Sequence, residues 1–454
     1  MITPWIVPLL VVVYLLFIKK KSIFFPPCVV ILLGILNYPI RIISISTGEA
    51  VTILGDSISI LDTGDAVTAN YIGLTSLIIF LATWYLFSPS TKIVNNFYYL
   101  FYSRIRFSDI KNKIKMHAKF ARIIFVGFLI AISIGALAIK AGVNPISYIL
   151  ASNFYRLGVN QNSSLLKLPI DIACFISSYY GFRYLIRTKK PLIYALSQVL
   201  VVILGSVFGH RGLAVTTFLL PLVSYENSGF TKSRHLTSIL PIIYIMNGLY
   251  ASIRDAVYVS MVNNSEKVIS DANALQNILK HSLYTGMHGF DSVLASLQFV
   301  RDGQAPVFLG YPFIEFLYPI SNILDFVPNP THVGFNNILH DLPWNGNIER
   351  EFAGGVVETF EGWSLLHFSY IGIIICPLLL SCFIKIFYTI GTRKINFEGQ
   401  GLMINSIAEN KKLVWSCWFS TVFYVFFLLT MCSSPAVAVL KLLVFSIILR
   451  LMLP

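Results

Sequence analysis

Charge is scarce in this sequence. Of 454 residues only 12% are Asp, Glu, Lys or Arg, against 56% hydrophobic, and the mean hydropathy of +0.73 lies far above that of soluble globular domains. Cysteine has no pattern. Cys28, Cys174, Cys376, Cys382, Cys417 and Cys432 sit in or at the ends of apolar runs without CxxC or Cys/His spacing, which excludes a disulfide framework or a zinc site as the organising element. A nucleotide-binding glycine loop, an internal repeat and a long run of like charge are missing as well. The formal net charge of +13 is spread over short connections between apolar runs. It orients the chain in a bilayer and does not mark a nucleic-acid surface.

Long apolar runs are abundant. A hydrocarbon core of about 30 Å needs roughly 20 apolar helical residues, and such runs recur approximately at 3–18, 23–43, 70–87, 123–141, 169–185, 192–208, 212–226, 236–251, 364–388, 413–431 and 436–453. The expectation is an all-α, polytopic inner-membrane protein with about eleven transmembrane helices, not an outer-membrane barrel of alternating short strands. The first run ends in Lys19, Lys20 and Lys21 with no basic residue before it, the reverse of a cleavable signal peptide. Lysine and arginine cluster after alternate runs: Lys19 to Lys21; Lys92 through Arg122; Arg187, Lys189 and Lys190; Lys232 and Arg234; Arg393, Lys394, Lys411 and Lys412. The intervening 44–69 carries Glu49, Asp56, Asp62 and Asp65 and no base. The positive-inside rule then predicts an outward N-terminus, a cytoplasmic C-terminus and an outward loop at 252–363. The chain reads as helices 1–8 in 1–251, a large loop in 252–363 and helices 9–11 in 364–454.

That loop is the longest connection and the expected home of the chemistry. From Asp271 to Val300 apolar residues recur at helical spacing (Leu275, Ile278, Leu279, Leu283, then Val293, Leu294, Leu297), interrupted near Gly286 and Gly289, which predicts two short amphipathic helices. Tyr311 to Phe326 is aromatic but interrupted by Pro312 and Pro319, suited to the membrane interface. Pro328 to Gly362 turns to Asn, Pro, Gly, His and acid and reads as irregular loop.

Gly205 to Gly212, GSVFGHRG, places His210 and Arg211 between two apolar runs. An arginine there demands an anionic partner and is a functional candidate, the alternative being that it reaches lipid headgroups or a loop carboxylate; His210 is either a satisfied interface histidine or a ligand contact. Arg254, in ASIRDA, follows the next run directly, so both arginines are expected at one membrane boundary. Two guanidinium forks there would suit a diphosphate, whereas Arg254 could instead pair with Asp255. Arg156, Arg301 and Arg350 are further candidate substrate contacts, each alternatively a solvated charge. Among possible bases, His288 and Asp291 lie three residues apart, His340 and Asp341 are adjacent, and Glu358 and Glu361 are three apart where the chain re-enters the membrane. Capping or solvation is the competing role for each.

This pattern resembles the Wzy family of O-antigen repeat-unit polymerases of bacterial inner membranes. The likeness lies in GHRG between consecutive spans, an arginine right after the next span, one large periplasmic loop, and the closing Gly354 to Gly372, GGVVETFEGWSLLHFSYIG. Family members carry a proline-serine pair and a glycine ahead of the glutamate; here Val356 and Val357 occupy that approach, so Glu358 and Glu361 both remain candidates for the family's acid. The resemblance implies a GT-C-like membrane glycosyltransferase needing neither metal nor other cofactor. It would transfer a glycan from undecaprenyl diphosphate to the nonreducing end of a new lipid-linked repeat unit at the periplasmic face. Arg211 and Arg254 would hold the leaving diphosphate, Glu358, Glu361 or His340 would polarise the attacking hydroxyl, and His210, His288, Arg156, Arg301 and Arg350 would contact substrate. Membrane lipid and a chain-length regulator are the implied partners. Two rivals stay open: an O-antigen ligase delivering glycan to a lipid A core, and a transporter or flippase of lipid-linked or anionic solutes, whose sites usually lie near the membrane midplane.

Overall fold

A computed structural model describes residues 2–47, 63–102, 117–140, 142, 144–145, 164–194, 219–227, 289–303, 359–392, 415, 417–425 and 427. Among the described residues the chain is all-helical and contains no strand. The helices used below are α1 (Thr3–Ile18) and α2 (Pro26–Ser46), α3 (Gly64–Leu86), α4 (Thr91–Tyr102), α5 (His117–Lys140), α6 (Ser164–Thr188), α7 (Leu220–Asn227), α8 (Gly289–Arg301) and α9 (Phe360–Gly391). Three of them, α2, α3 and α9, are long and apolar enough to cross a membrane, and α1 and Leu129–Ile139 are shorter apolar helices. The expected spans at 192–208, 236–251 and 436–453 lie wholly or almost wholly outside the described residues. Those at 212–226 and 413–431 are described in part.

Local chemistry sets the helix ends. Pro26 and Pro27 open α2, where a missing N–H costs nothing. The Thr63 side chain accepts from the Ala66 N–H at 3.2 Å to cap α3, and Asp65 stands in its first turn. Within the helices, hydroxyls donate back to carbonyls four residues earlier, as Ser224 does to Leu220, Ser296 to Ser292, Ser364 to Phe360 and Thr421 to Cys417. Such internal bonds satisfy polar groups where lipid offers no partner. Exposed Ile371, Ile374, Ile375, Leu378 and Leu379 line one stripe of α9, the surface a helix presents to hydrocarbon.

Two irregularities follow from sequence. Pro39 supplies no N–H to α2, and the turn Leu36–Ile40 widens to a π-helical turn around it. In α9 Ser369 takes φ 53° and ψ −156°, a left-handed break inside the helix. Phe360 to Phe368 therefore forms a short helix, buried as far as His367, ahead of the apolar stretch that begins at Tyr370.

The chain divides into two compact units. One comprises Met1–Pro89, Lys280–Ile386 and Phe423–Leu443; the other comprises Ser90–Leu279, Phe387–Val422 and Val444–Pro454. In the second unit α6 packs on α5 and α7. An aromatic knot joins Tyr179 to Trp415 and Trp418, each pair with ring centroids 5.2 Å apart, while the Trp418 indole donates to Ser178 Oγ at 3.2 Å. In the first unit α1 packs on α2, and α2 and α8 both pack on α3.

Two expectations change in the first unit. α8 begins at Gly289, but it is buried on every face from Gly289 to Leu297 instead of one-sided. Its polar Asp291, Ser292 and Ser296 are buried along with its apolar residues because each finds a partner inside the protein. The irregular loop expected up to Gly362 ends earlier: the Thr359 carbonyl accepts from the Trp363 N–H at 2.8 Å, so helix starts at Phe360 and takes Glu361 into its first turn.

Candidate functional site

The first unit gathers polar side chains where α2, α3, α8 and the start of α9 converge. α2 contributes the adjacent Asn37 and Tyr38 and, one helical turn on, Arg41, all buried. The widened turn Leu36–Ile40 includes Asn37 and Tyr38 and ends just before Arg41. α3 contributes Asn70 and Ser76, α8 Asp291 and Ser292, and α9 Glu361, Ser364 and His367, with Thr359 just before it; all are buried.

Arg41 is the centre of charge. Its guanidinium donates to Asp291 Oδ2 from Nε at 3.1 Å and from Nη2 at 2.6 Å. Arg41 is only 5% exposed and Asp291 not at all. One turn earlier on α2, Asn37 Oδ1 accepts from the Gly289 N–H at 3.3 Å. Helix α8 is thus held to α2 at two points.

Tyr38 is wedged between helices. Its ring stacks on Trp5 with centroids 5.4 Å apart, and the Trp5 indole donates to Asn70 Oδ1 at 2.9 Å. The ring also lies against Gly73 of α3, where a methyl group would collide with it. This placement brings the phenol within electrostatic reach of the Glu361 carboxyl. Ser76, one turn after Gly73, is the polar neighbour of that carboxyl. The Tyr38 and Ser76 hydroxyls are buried and complete no hydrogen bond of ordinary geometry. Glu361 itself is 4% exposed.

The start of α9 is fixed from outside. Ser292 Oγ accepts from the Thr359 N–H at 3.1 Å, and Gly362 lies so close to Ser292 that a side chain at 362 would strike it. Two turns into α9 the His367 ring lies 5.2 Å from that of Trp363. At the other end of α3, Lys385 of α9 donates to the Trp84 carbonyl and sits over its ring at 5.6 Å. That places a cation on the C-terminal turn of α3, the end a helix dipole makes negative.

Of the candidate residues named from the sequence, Glu361, Arg301 and Asp291 are described. Glu361 is in the cluster. Arg301 is at the far end of α8, 60% exposed, with Nη1 donating to Asp65 Oδ2 at 2.6 Å and Nε 3.5 Å from Asp302; Asp65, foremost, pushes its pKa further up. Arg211, Arg254, Glu358, His340, His210, Arg156, Arg350 and His288 lie outside the described residues. Asp291, considered with His288 as a base, meets Arg41 instead. Arg41 itself was not singled out, although an arginine inside the apolar run 23–43 was the available signal: an ionisable residue within a span is a functional candidate by default.

What the fold and this cluster define is a class: an all-helical membrane protein whose core holds a buried acid, a buried ion pair and unbonded hydroxyls at one junction of helices. No protein-family model, curated protein or solved structure matches the chain.

Proposed function

We propose that the chain is a membrane glycosyltransferase of the repeat-unit polymerase type, acting on glycans carried by undecaprenyl diphosphate at the periplasmic face of a bacterial inner membrane. The observation that carries this reading is Glu361, a buried carboxyl in the first turn of α9, at the helix junction that also buries Tyr38 and Ser76. The charge asymmetry of the loops makes the C-terminal end of α2 and the first turns of α3 and α9 the outward ends. On that orientation the acid stands at the leaflet where lipid-linked glycans are joined.

In the reaction, Glu361 takes the proton from the acceptor sugar hydroxyl. The freed oxygen bonds to the anomeric carbon of the donor as the bond from that carbon to the diphosphate breaks, and the diphosphate leaves with the electron pair. Arg211 and Arg254 hold the departing charge. The buried Arg41–Asp291 pair is already neutralised, so it serves the architecture and not the leaving group.

Incubating the purified protein in proteoliposomes with synthetic undecaprenyl-diphosphate-linked repeat units is expected to yield a ladder of glycan lengths, lost in Glu361→Gln and in Arg211→Ala. No ladder from the wild type, or ladders of ordinary length from both variants, would overturn the proposal. Genetic deletion separates the ligase: surface lipopolysaccharide capped with a single repeat unit supports polymerase, and complete loss of O-antigen supports ligase.

A second reading has its own observation. A buried ion pair together with a helix broken at Ser369 are features that carriers place in their spans. A carrier of lipid-linked glycan would move labelled substrate across the proteoliposome bilayer without lengthening it.

A further inference from the structure

We infer that Ser292 is a positioning residue for Glu361; the inference rests on the reading of Glu361 as proton acceptor. The acid occupies the first turn of α9, and backbone N–H groups in a first turn have no partner within their own helix. A helix normally obtains its cap from the residue just before it. Here the Thr359 N–H, two residues ahead of the acid, is taken by the hydroxyl of a different helix, at 3.1 Å.

The residue after the acid meets the same serine. Gly362 leaves no room for a side chain because Ser292 fills the space. Glu361 is therefore bracketed by two contacts with one residue. Ser292 is in turn held in place through its neighbours: Asp291 is bound by the Arg41 guanidinium, and the Gly289 N–H by Asn37. Asn37 adjoins Tyr38 on α2 and Arg41 follows it one turn later, and the Tyr38 phenol is within electrostatic reach of Glu361. A single hydroxyl thus sets the register between the acid and the tyrosine. Displacing a reacting group by about 1 Å lowers rate by about a hundredfold, which makes such a contact matter far more for turnover than for substrate affinity.

The test compares full-length wild type with Ser292→Ala in proteoliposomes, using synthetic undecaprenyl-diphosphate-linked repeat units. Alanine is the better helix former, so the variant is expected to fold, with a thermal unfolding midpoint in detergent close to wild type. The expected result is kcat lowered by about 10- to 100-fold with KM changed less than about twofold. A second readout needs no turnover: the rate at which dicyclohexylcarbodiimide labels Glu361, followed by peptide mass spectrometry, is expected to rise severalfold when its turn loosens. Wild-type kcat with wild-type labelling overturns the inference. Should Glu361→Gln keep full activity, the assignment of the proton acceptor fails, while the labelling rate still decides whether Ser292 holds that turn.

Discussion

Arg41 and Asp291, 250 residues apart in sequence, share one carboxylate oxygen through two guanidinium nitrogens and are sealed from solvent. The pair joins α2 to α8 and lies next to Ser292. Taking two charges out of water is expensive, and their attraction offsets that cost only while both are present.

Removing one partner should therefore be severe. Arg41→Met or Asp291→Leu alone is expected to destabilise the protein by about 3–5 kcal/mol, while the double substitution loses far less because no lone charge remains buried. Chemical unfolding in detergent, arranged as a double-mutant cycle, measures the difference. Additive losses would show that the two side chains do not act as a pair.

Ser369 holds a backbone conformation that suits glycine, at φ 53° and ψ −156°. Strain of this kind costs about 1–3 kcal/mol, and the extra freedom glycine gains in the unfolded chain costs about 0.4–1 kcal/mol. Ser369→Gly is thus expected to raise stability by about 1 kcal/mol, and Ser369→Ala, which keeps the β-carbon, to give no gain. Thermal midpoints of the two variants, measured side by side, check the ordering. Equal midpoints would mean that the left-handed turn carries no strain.

Arg301 presents the opposite case to Arg41. It is exposed, and its ion pair with Asp65 lies in reach of solvent and salt, so it contributes little to folding. Arg301→Gln is expected to leave the unfolding midpoint unchanged. If Arg301 also contacts the glycan, the same variant raises KM in the polymerisation assay without lowering kcat; an unaltered KM removes it from the substrate contacts.

Helical class and membrane character are legible in the sequence, because runs of some 20 apolar residues have only one stable form in lipid. The apolar runs at 23–43, 70–87 and 364–388 fall on α2, α3 and α9, displaced by a few residues at their ends. The displacement at α9 has a consequence. An acid with a glycine after it reads as loop, whereas a serine from α8 accepts from the Thr359 N–H and helps hold a helix start that includes Glu361. For α8 the spacing of Val293, Leu294 and Leu297 pointed to a helix with one wet face. Nothing in that spacing says that Asp291 and Ser292 have partners waiting on α2 and at the start of α9.

What the sequence determined by itself was the solvent of the chain and the form its segments take there, since both depend on local composition and on the need to close backbone hydrogen bonds within each segment. Tertiary structure alone decided which polar residues are buried together. Arg41 stands between isoleucines and Asp291 between a phenylalanine and a serine, and neither carries a mark of the other. Their meeting follows from how four helices fit around Gly73 and Gly362, where missing side chains let Tyr38 and Ser292 come close.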